Sequence, residues 1–197
     1  MNNEKMPEVV SILPLRNTVL FPGVVIPITV GRDKSIKLIK DAYASDRIIG
    51  VVSQKDVSVE DPKISDLNQI GTVAQILRML RMPDGNTTVI IQGKRRFKVK
   101  EMVQEDPYLK ATVEPFSDSV EADKDQEFSA IVDSLKDISM QIIQQSPNIP
   151  TEASFAIRNI ESPSFLINFI SSNMNADVDK KQFLLEMNNL KDRATKV

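Results

Sequence analysis

Thr72-Val73-Ala74-Gln75-Ile76-Leu77-Arg78-Met79-Leu80-Arg81-Met82, then Pro83-Asp84-Gly85-Asn86, then Thr87-Thr88-Val89-Ile90-Ile91-Gln92 is the stretch that decides the fold. Val73, Leu77 and Met79 share one parity, and Ala74, Ile76, Leu80 and Met82 share the other. A flat, half-buried strand would keep its apolar residues on one side. Apolar residues on both sides predict a long strand that curves around a barrel. The Pro-Asp-Gly-Asn segment makes a turn with glycine available for positive φ, and Thr87–Gln92 returns as its hairpin partner.

The same reading extends outward in both directions. Val9–Leu13 is a short apolar run. Val24–Val30 places Ile26, Ile28 and Val30 on one face, and Pro27 inside it marks an edge strand or a bulge. Ile48–Val52 is continuously apolar, as a strand buried on both faces would be. Phe97–Val103 points Phe97 and Val99 inward and Arg96, Lys98 and Lys100 outward. Tyr108–Phe116 points Leu109, Ala111 and Val113 inward. One helix interrupts these strands, with Asp33 as its cap and Ile36, Ile39, Ala42 and Tyr43 as its apolar stripe.

Beyond Phe116 the period changes. Ser117–Gln126 is polar and reads as a linker. Phe128, Ile131, Val132, Leu135, Ile138, Ile142 and Ile143 then keep helical spacing until Ser146-Pro147-Asn148-Ile149-Pro150 stops the helix. Thr151 can cap a second helix through Ala153, Ala156, Ile157 and Ile160. Ser162-Pro163 reads as an N-cap followed by proline at the first helical position, opening a helix with Leu166, Phe169 and Ile170. The last helix is expected to start at Asp179 as N-cap, with Gln182 completing a capping box and Val178 and Phe183 forming a staple. Phe183, Met187, Leu190, Ala194 and Val197 continue it as a seam with heptad spacing. The alternative is one amphipathic helix packing on its neighbours. No Gly or Pro ends the seam, so the last helix is expected to be truncated and the chain to be a fragment. The net charge is −2 overall, with the basic excess before residue 118 and the acidic excess after it. Charge and periodicity change together, which predicts a β domain over 1–118 and a helical bundle over 119–197.

Composition excludes several chemistries. Histidine and cysteine are both absent, so a His-based triad, a His or thiolate metal site and a disulfide cannot be built. There is no Walker A sequence, no Rossmann glycine pattern and no Gly-x-Ser-x-Gly elbow. No catalytic or metal-binding residue is assigned. Balanced charge and the absence of tryptophan argue against a general nucleic-acid binder. The polar N-terminus is not a signal peptide. The longest uncharged run, Asn17 to Gly31, contains Pro22, Gly23 and Pro27 and falls short of the ~20 apolar residues of a membrane span. A cytoplasmic, soluble protein without membrane attachment is the expectation.

Two segments invite a binding role. Lys94-Arg95-Arg96-Phe97-Lys98-Val99-Lys100 is either a basic patch for RNA or an acidic partner, or a β-strand with a solvated outer face. Val19-Leu20-Phe21-Pro22-Gly23-Val24-Val25 either carries Phe21 on a turn as an exposed apolar anchor, or folds Leu20 and Phe21 back to plug the barrel. Met79, Met82 and Met102 add flexible, polarizable side chains near the hairpin.

Leu13-Pro14-Leu15-Arg16-Asn17-Thr18-Val19-Leu20-Phe21-Pro22-Gly23 resembles the opening of the Lon protease N-terminal domain. Val30-Gly31-Arg32-Asp33-Lys34-Ser35-Ile36 is similar to that family's first helix start. Ile70–Ile76, Pro83-Asp84-Gly85, Gln92–Phe97 and Pro107–Pro115 resemble its central hairpin and closing strand. Ser162–Leu166 and Asp179–Glu186 are similar to its helical half, although the family more often has glycine where Ser164 stands. The resemblance runs collinearly from Val9 to Ala194. It implies an α+β fold: a PUA-like β pseudo-barrel with one inserted helix, followed by an all-α helical bundle. It further implies a non-catalytic N-terminal region of an ATP-dependent serine protease, with ATP and Mg used only in an AAA+ module outside this chain. The implied partners are unfolded or damaged protein substrates and other copies in a homohexamer. A module that finds unfolded chains needs exposed apolar groups, which singles out Leu20, Phe21 and Pro22, and then Met79 and Met82, as substrate-binding candidates. The competing expectation is a PUA-like RNA-binding module using 94–100.

Overall fold

The computed structural model describes residues 6–83, 85–119, 126–147 and 152–197. The turn residue Asp84, the linker residues 120–125, the helix stop at 148–150 and the cap expected at Thr151 lie outside the described residues. Six strands come first: β1 (Val9–Leu15), β2 (Val25–Val30), β3 (Ile48–Ser53), β4 (Ile70–Arg81), β5 (Thr87–Gln104) and β6 (Lys110–Pro115). Helix α1 (Asp33–Tyr43) lies between β2 and β3. Helices α2 (Gln126–Gln145), α3 (Glu152–Arg158), α4 (Pro163–Asn173), α5 (Val178–Glu186) and α6 (Leu190–Lys196) follow.

The strand order is β2-β5-β4-β3-β1-β6, and β5 also pairs with β6. That extra pairing closes β5, β4, β3, β1 and β6 into a ring and leaves β2 beside the first part of β5. Only β1 and β3 run parallel; the other pairs are antiparallel. Residues 87–92 and 97–103 are not separate strands. They are the two halves of one long β5, whose beginning pairs with β2 and β4 and whose end pairs with β6.

A register shift between Ile76 and Arg78 explains the two-sided apolar pattern of β4. Ala74 and Ile76 are buried in the same core cluster that Met79 packs against. Skipping Leu77 exchanges the parities, so Arg78 and Leu80 turn outward. Val73 faces a second cluster, around Phe97, with Val10, Ile12, Val52 and Ala111. β4 therefore has apolar side chains against two cores, one on each of its faces.

Several local expectations are corrected. Arg32, not Asp33, stands at the α1 N-cap position, and Asp33 is the first helical residue, where its charge suits the positive helix end. Asp177, not Asp179, caps α5, its side chain accepting from the Lys180 N–H at 2.9 Å. The seam from Phe183 to Val197 is not one helix. α5 ends at Glu186, the chain extends through Met187, and Asn189 caps a new helix by accepting from the Asp192 N–H. Phe183 is consequently exposed. In α2, Phe128, Val132 and Ile143 are buried but Ile138 and Ile142 face out. Ser162 does cap α4, accepting from the Phe165 N–H with Pro163 behind it.

The helices share a core of Phe128, Val132, Ile143, Ile157, Leu166, Leu190 and Ala194. α5 leaves that group and packs on the strands. Leu184 and Leu185 belong to the same cluster as Leu13, Phe21, Ile39 and Ile91. Burying each leucine is worth ~1.5–3 kcal/mol, so α5 contributes materially to the sheet's stability. Buried polar contacts fix its register: the Ser53 hydroxyl donates to Gln182 Oε1 at 2.7 Å, and Gln182 Nε2 donates to the Ile70 carbonyl at 3.0 Å.

Candidate functional site

The five residues favoured by sequence do not come together. Leu20 and Phe21 are core residues, Phe21 with 0% of its surface exposed. The expectation of an exposed anchor at Phe21 is therefore corrected in favour of the plug. The reason lies in the backbone: Gly93 of β5 comes so close that a Cβ there would stand 2.3 Å from the Phe21 carbonyl oxygen. Gly23, at φ +81°, then turns the chain into β2, and the Phe165 ring of α4 packs where a side chain would be. The Thr72 hydroxyl holds the Leu20 carbonyl at 2.7 Å, and the Asn168 amide donates to the Pro22 carbonyl. Pro22 is half-buried. Met79 turns inward and packs against the core. Of the five, Met82 is exposed.

Met82 belongs to a surface that the sequence did not single out. The registers align Pro27 with Ile90 and Arg78, and Thr29 with Thr88 and Leu80. Aligned residues of antiparallel strands project to the same side. Val25, Pro27 and Thr29 of β2, Thr88 and Ile90 of β5, and Arg78 and Leu80 of β4 therefore share the outer face of a three-stranded sheet, with Met82 at its end. Val25 is 48% exposed, Leu80 47% and Met82 44%. The Thr29 and Thr88 hydroxyls meet across the face at 3.5 Å. The inner face of the same strands is closed by Ile28, Val89, Ile91 and Met79. The outer side thus carries apolar side chains interspersed with Thr29, Thr88 and exposed Arg78, with Gln92 and Gln75 aligned with Val25 and Arg81 at the hairpin end. An apolar surface rimmed by polar groups has the character of a docking site.

The basic strand is a different matter. Arg96 is not outward but 4% exposed. Its Nη1 donates to the Leu185 and Met187 carbonyls at 2.6 and 2.7 Å, and its Nη2 donates to Asp118 at 2.5 Å. The Phe116 ring lies under the guanidinium at 4.7 Å. Asp118 also receives Arg193, which is 1% exposed and bound to Asn168. Burial, and then the neighbouring Arg193, push the Arg96 pKa down to about 10 against the pull of Asp118. Lys94 donates to Gln92, and Lys100 pairs with Glu114 at 3.2 Å. Arg96 therefore ties strands to helices and contributes no charge to an open cationic face. Its partner in the linker gave no local signal, because a lone aspartate among polar residues reads as solvated.

Among the described residues no group of three or more carboxylates could hold a metal ion. No helix there is long and apolar enough to cross a membrane.

The ATP-dependent protease La (LON) substrate-binding domain family matches residues 9–197. A Lon protease from Flavobacterium johnsoniae is 62% identical over 194 residues, which is 98% of this chain and 24% of that protein. A Lon protease from Cytophaga hutchinsonii is 51% identical, over 99% of this chain and 24% of that protein. The chain thus spans about a quarter of the length of these relatives. Among solved structures, the N-terminal domain of a Mycobacterium avium complex Lon protease superimposes with a TM-score of 0.77 at 22% identity, covering 95% of this chain and 94% of that one. A Xanthomonas campestris Lon N-terminal domain protein gives 0.65 at 18% identity, covering 95% of each. At such identities the superpositions speak for the fold.

Proposed function

The chain belongs to the LON substrate-binding domain family of Lon proteases, and on that premise we propose that it captures unfolded polypeptide on the outer face of β2, β5 and β4. The observation that carries this reading is the exposed Val25, Leu80 and Met82, with half-buried Ile90 of the middle strand, on a sheet whose other side is core. Unfolded chains differ from folded ones in presenting apolar segments, and an apolar strip selects for that difference. Capture is weak, ~−8 kcal/mol or less, because a disordered segment loses entropy on binding.

In this reading the strands form a PUA-like pseudo-barrel over 1–118, and 119–197 is a helical bundle that supports it. The chain performs no catalysis and holds no cofactor; ATP, Mg and peptide hydrolysis belong to other parts of a longer cytoplasmic serine protease. Assembly of that protease as a homohexamer would multiply weak contacts into avidity. RNA binding through 94–100 is disfavoured, because its central arginine is buried and paired.

Titrating a permanently unfolded, apolar-rich polypeptide into the chain and into its Leu80→Asp variant tests the reading. A charge in the strip should weaken binding about tenfold or more and leave the melting temperature nearly unchanged, since Leu80 is exposed. Equal binding by both proteins contradicts the reading.

A further inference from the structure

A groove of about 490 Å³ runs between the end of β1 and β2, within the ~300–1,000 Å³ range of ligand clefts. Leu13–Thr18 forms one wall and Pro27–Arg32 the other. Consecutive β2 residues of both parities line it, so the groove looks at the strand's edge rather than at one of its faces. β2 ends the strand order and pairs with β5 alone, which leaves that edge without a partner strand. The Val24 carbonyl accepts from the Gly93 N–H of β5 at 2.9 Å. By alternation the backbone groups of Val25, Pro27 and Thr29 point the other way, toward the groove. Pro27 offers a carbonyl and no N–H there. That interrupts the ladder an added strand could make and limits open-ended pairing between sheet edges.

The charge of the groove is one-sided. Its charged lining residues are Arg16 and Arg32, and no carboxylate lines it. Arg16 is exposed and makes no ion pair among the described residues. Arg32 is half-buried, anchored by donating from Nη2 to Gln54 Oε1 at 2.7 Å. Burial, and next the nearby Arg16, hold its pKa below the ordinary arginine value, while Asp61 and Glu60 act in the opposite sense. Two arginines therefore line one groove beside an open strand edge, and no carboxylate lines it with them. Guanidinium forks match carboxylates in shape as well as charge.

We infer that this groove binds an extended, acidic stretch of an unfolded polypeptide, its backbone along the free edge of β2 and a carboxylate between Arg16 and Arg32. The inference rests on the substrate-capture reading and adds to it a second, charge-selective subsite that adjoins the apolar strip along β2. It makes the domain prefer extended segments that carry an acidic residue.

The test uses fluorescence polarisation on the full chain with two short labelled peptides, one alternating Val and Thr with Glu, the other carrying Gln in place of Glu. The Glu peptide should bind about tenfold more tightly at low salt, and Arg16→Gln should abolish the preference without shifting the melt, because Arg16 is exposed. The preference should shrink as salt rises. A preference that survives Arg16→Gln overturns the inference, and so does equal binding of the two peptides by the unaltered chain. Displacement of the Glu peptide by a single-stranded oligonucleotide at matched charge also overturns it, since that marks a general anion site. The unfolded apolar-rich polypeptide serves as the control. If the unaltered chain captures it but does not discriminate Glu from Gln, this inference alone fails; if it captures neither, the substrate-capture reading fails too.

Discussion

Phe21 is sealed by Gly93, by Leu20 and by the ring of Phe165 over the adjacent turn, so its role is decided by packing. Phe21→Ser removes a ring from a close-packed site and leaves a hydroxyl without an assured partner. It should cost about 3 kcal/mol or more, read as a lowered midpoint in denaturant unfolding. A midpoint within error of the parent would contradict the plug. Residue-scale sequence reading succeeded where parity is uninterrupted: Phe97, Leu109, Ala111 and Val113 are buried as expected. It misplaced Arg96, although Phe97 beside it is placed correctly. What buries Arg96 is α5 and the chain after it, far away in sequence, together with Asp118. No local pattern announces a partner that arrives from a helix closing over the sheet.

Among the elements, strand existence followed directly from apolar runs and turn residues, and of the edge strand or bulge that Pro27 left open, the strand order gives the edge. The exposed strip was not legible, because a one-residue register shift at Leu77 decides whether Leu80 faces the core or water. Period-two counting cannot see a bulge that only the partner strand defines. The same limit appears at α5, where Asp177 and Asp179 both fit a helix start by type. Geometry chooses Asp177, whose carboxylate reaches the Lys180 N–H. Asp177→Ala should lower stability by about 1 kcal/mol, and Asp179→Ala by clearly less. Thermal melts of the two variants separate them, and the reverse order would restore the expected capping box.

Taken whole, the molecule is two sequence halves that do not divide cleanly in space. The boundary near 118 marks a real change of pattern, yet α5 inserts Leu184 and Leu185 into the sheet's core, and Arg96, Asp118 and Arg193 bind strands, linker and α6 together. A fragment over 1–118 keeps the closed strand ring and should still melt cooperatively. It loses two buried leucines worth ~3–6 kcal/mol together, and at ~4–8 °C per kcal/mol for a small domain its midpoint should fall by at least ~10 °C. An unchanged midpoint would mean that α5 merely rests on the sheet. A fragment without a transition would move the domain boundary to include α5.

The central claim is that unfolded substrate sits on the outer face of β2, β5 and β4. Amide chemical-shift mapping of the labelled chain during titration with an unfolded, apolar-rich polypeptide tests it most directly. The perturbed amides should cluster at Val25–Thr29, Arg78–Met82 and Thr88–Ile90, with the helices largely silent. Perturbations centred instead on the exposed apolar groups of the helical half, Ile138, Ile142 and Phe155, with the three strands unchanged, would contradict it.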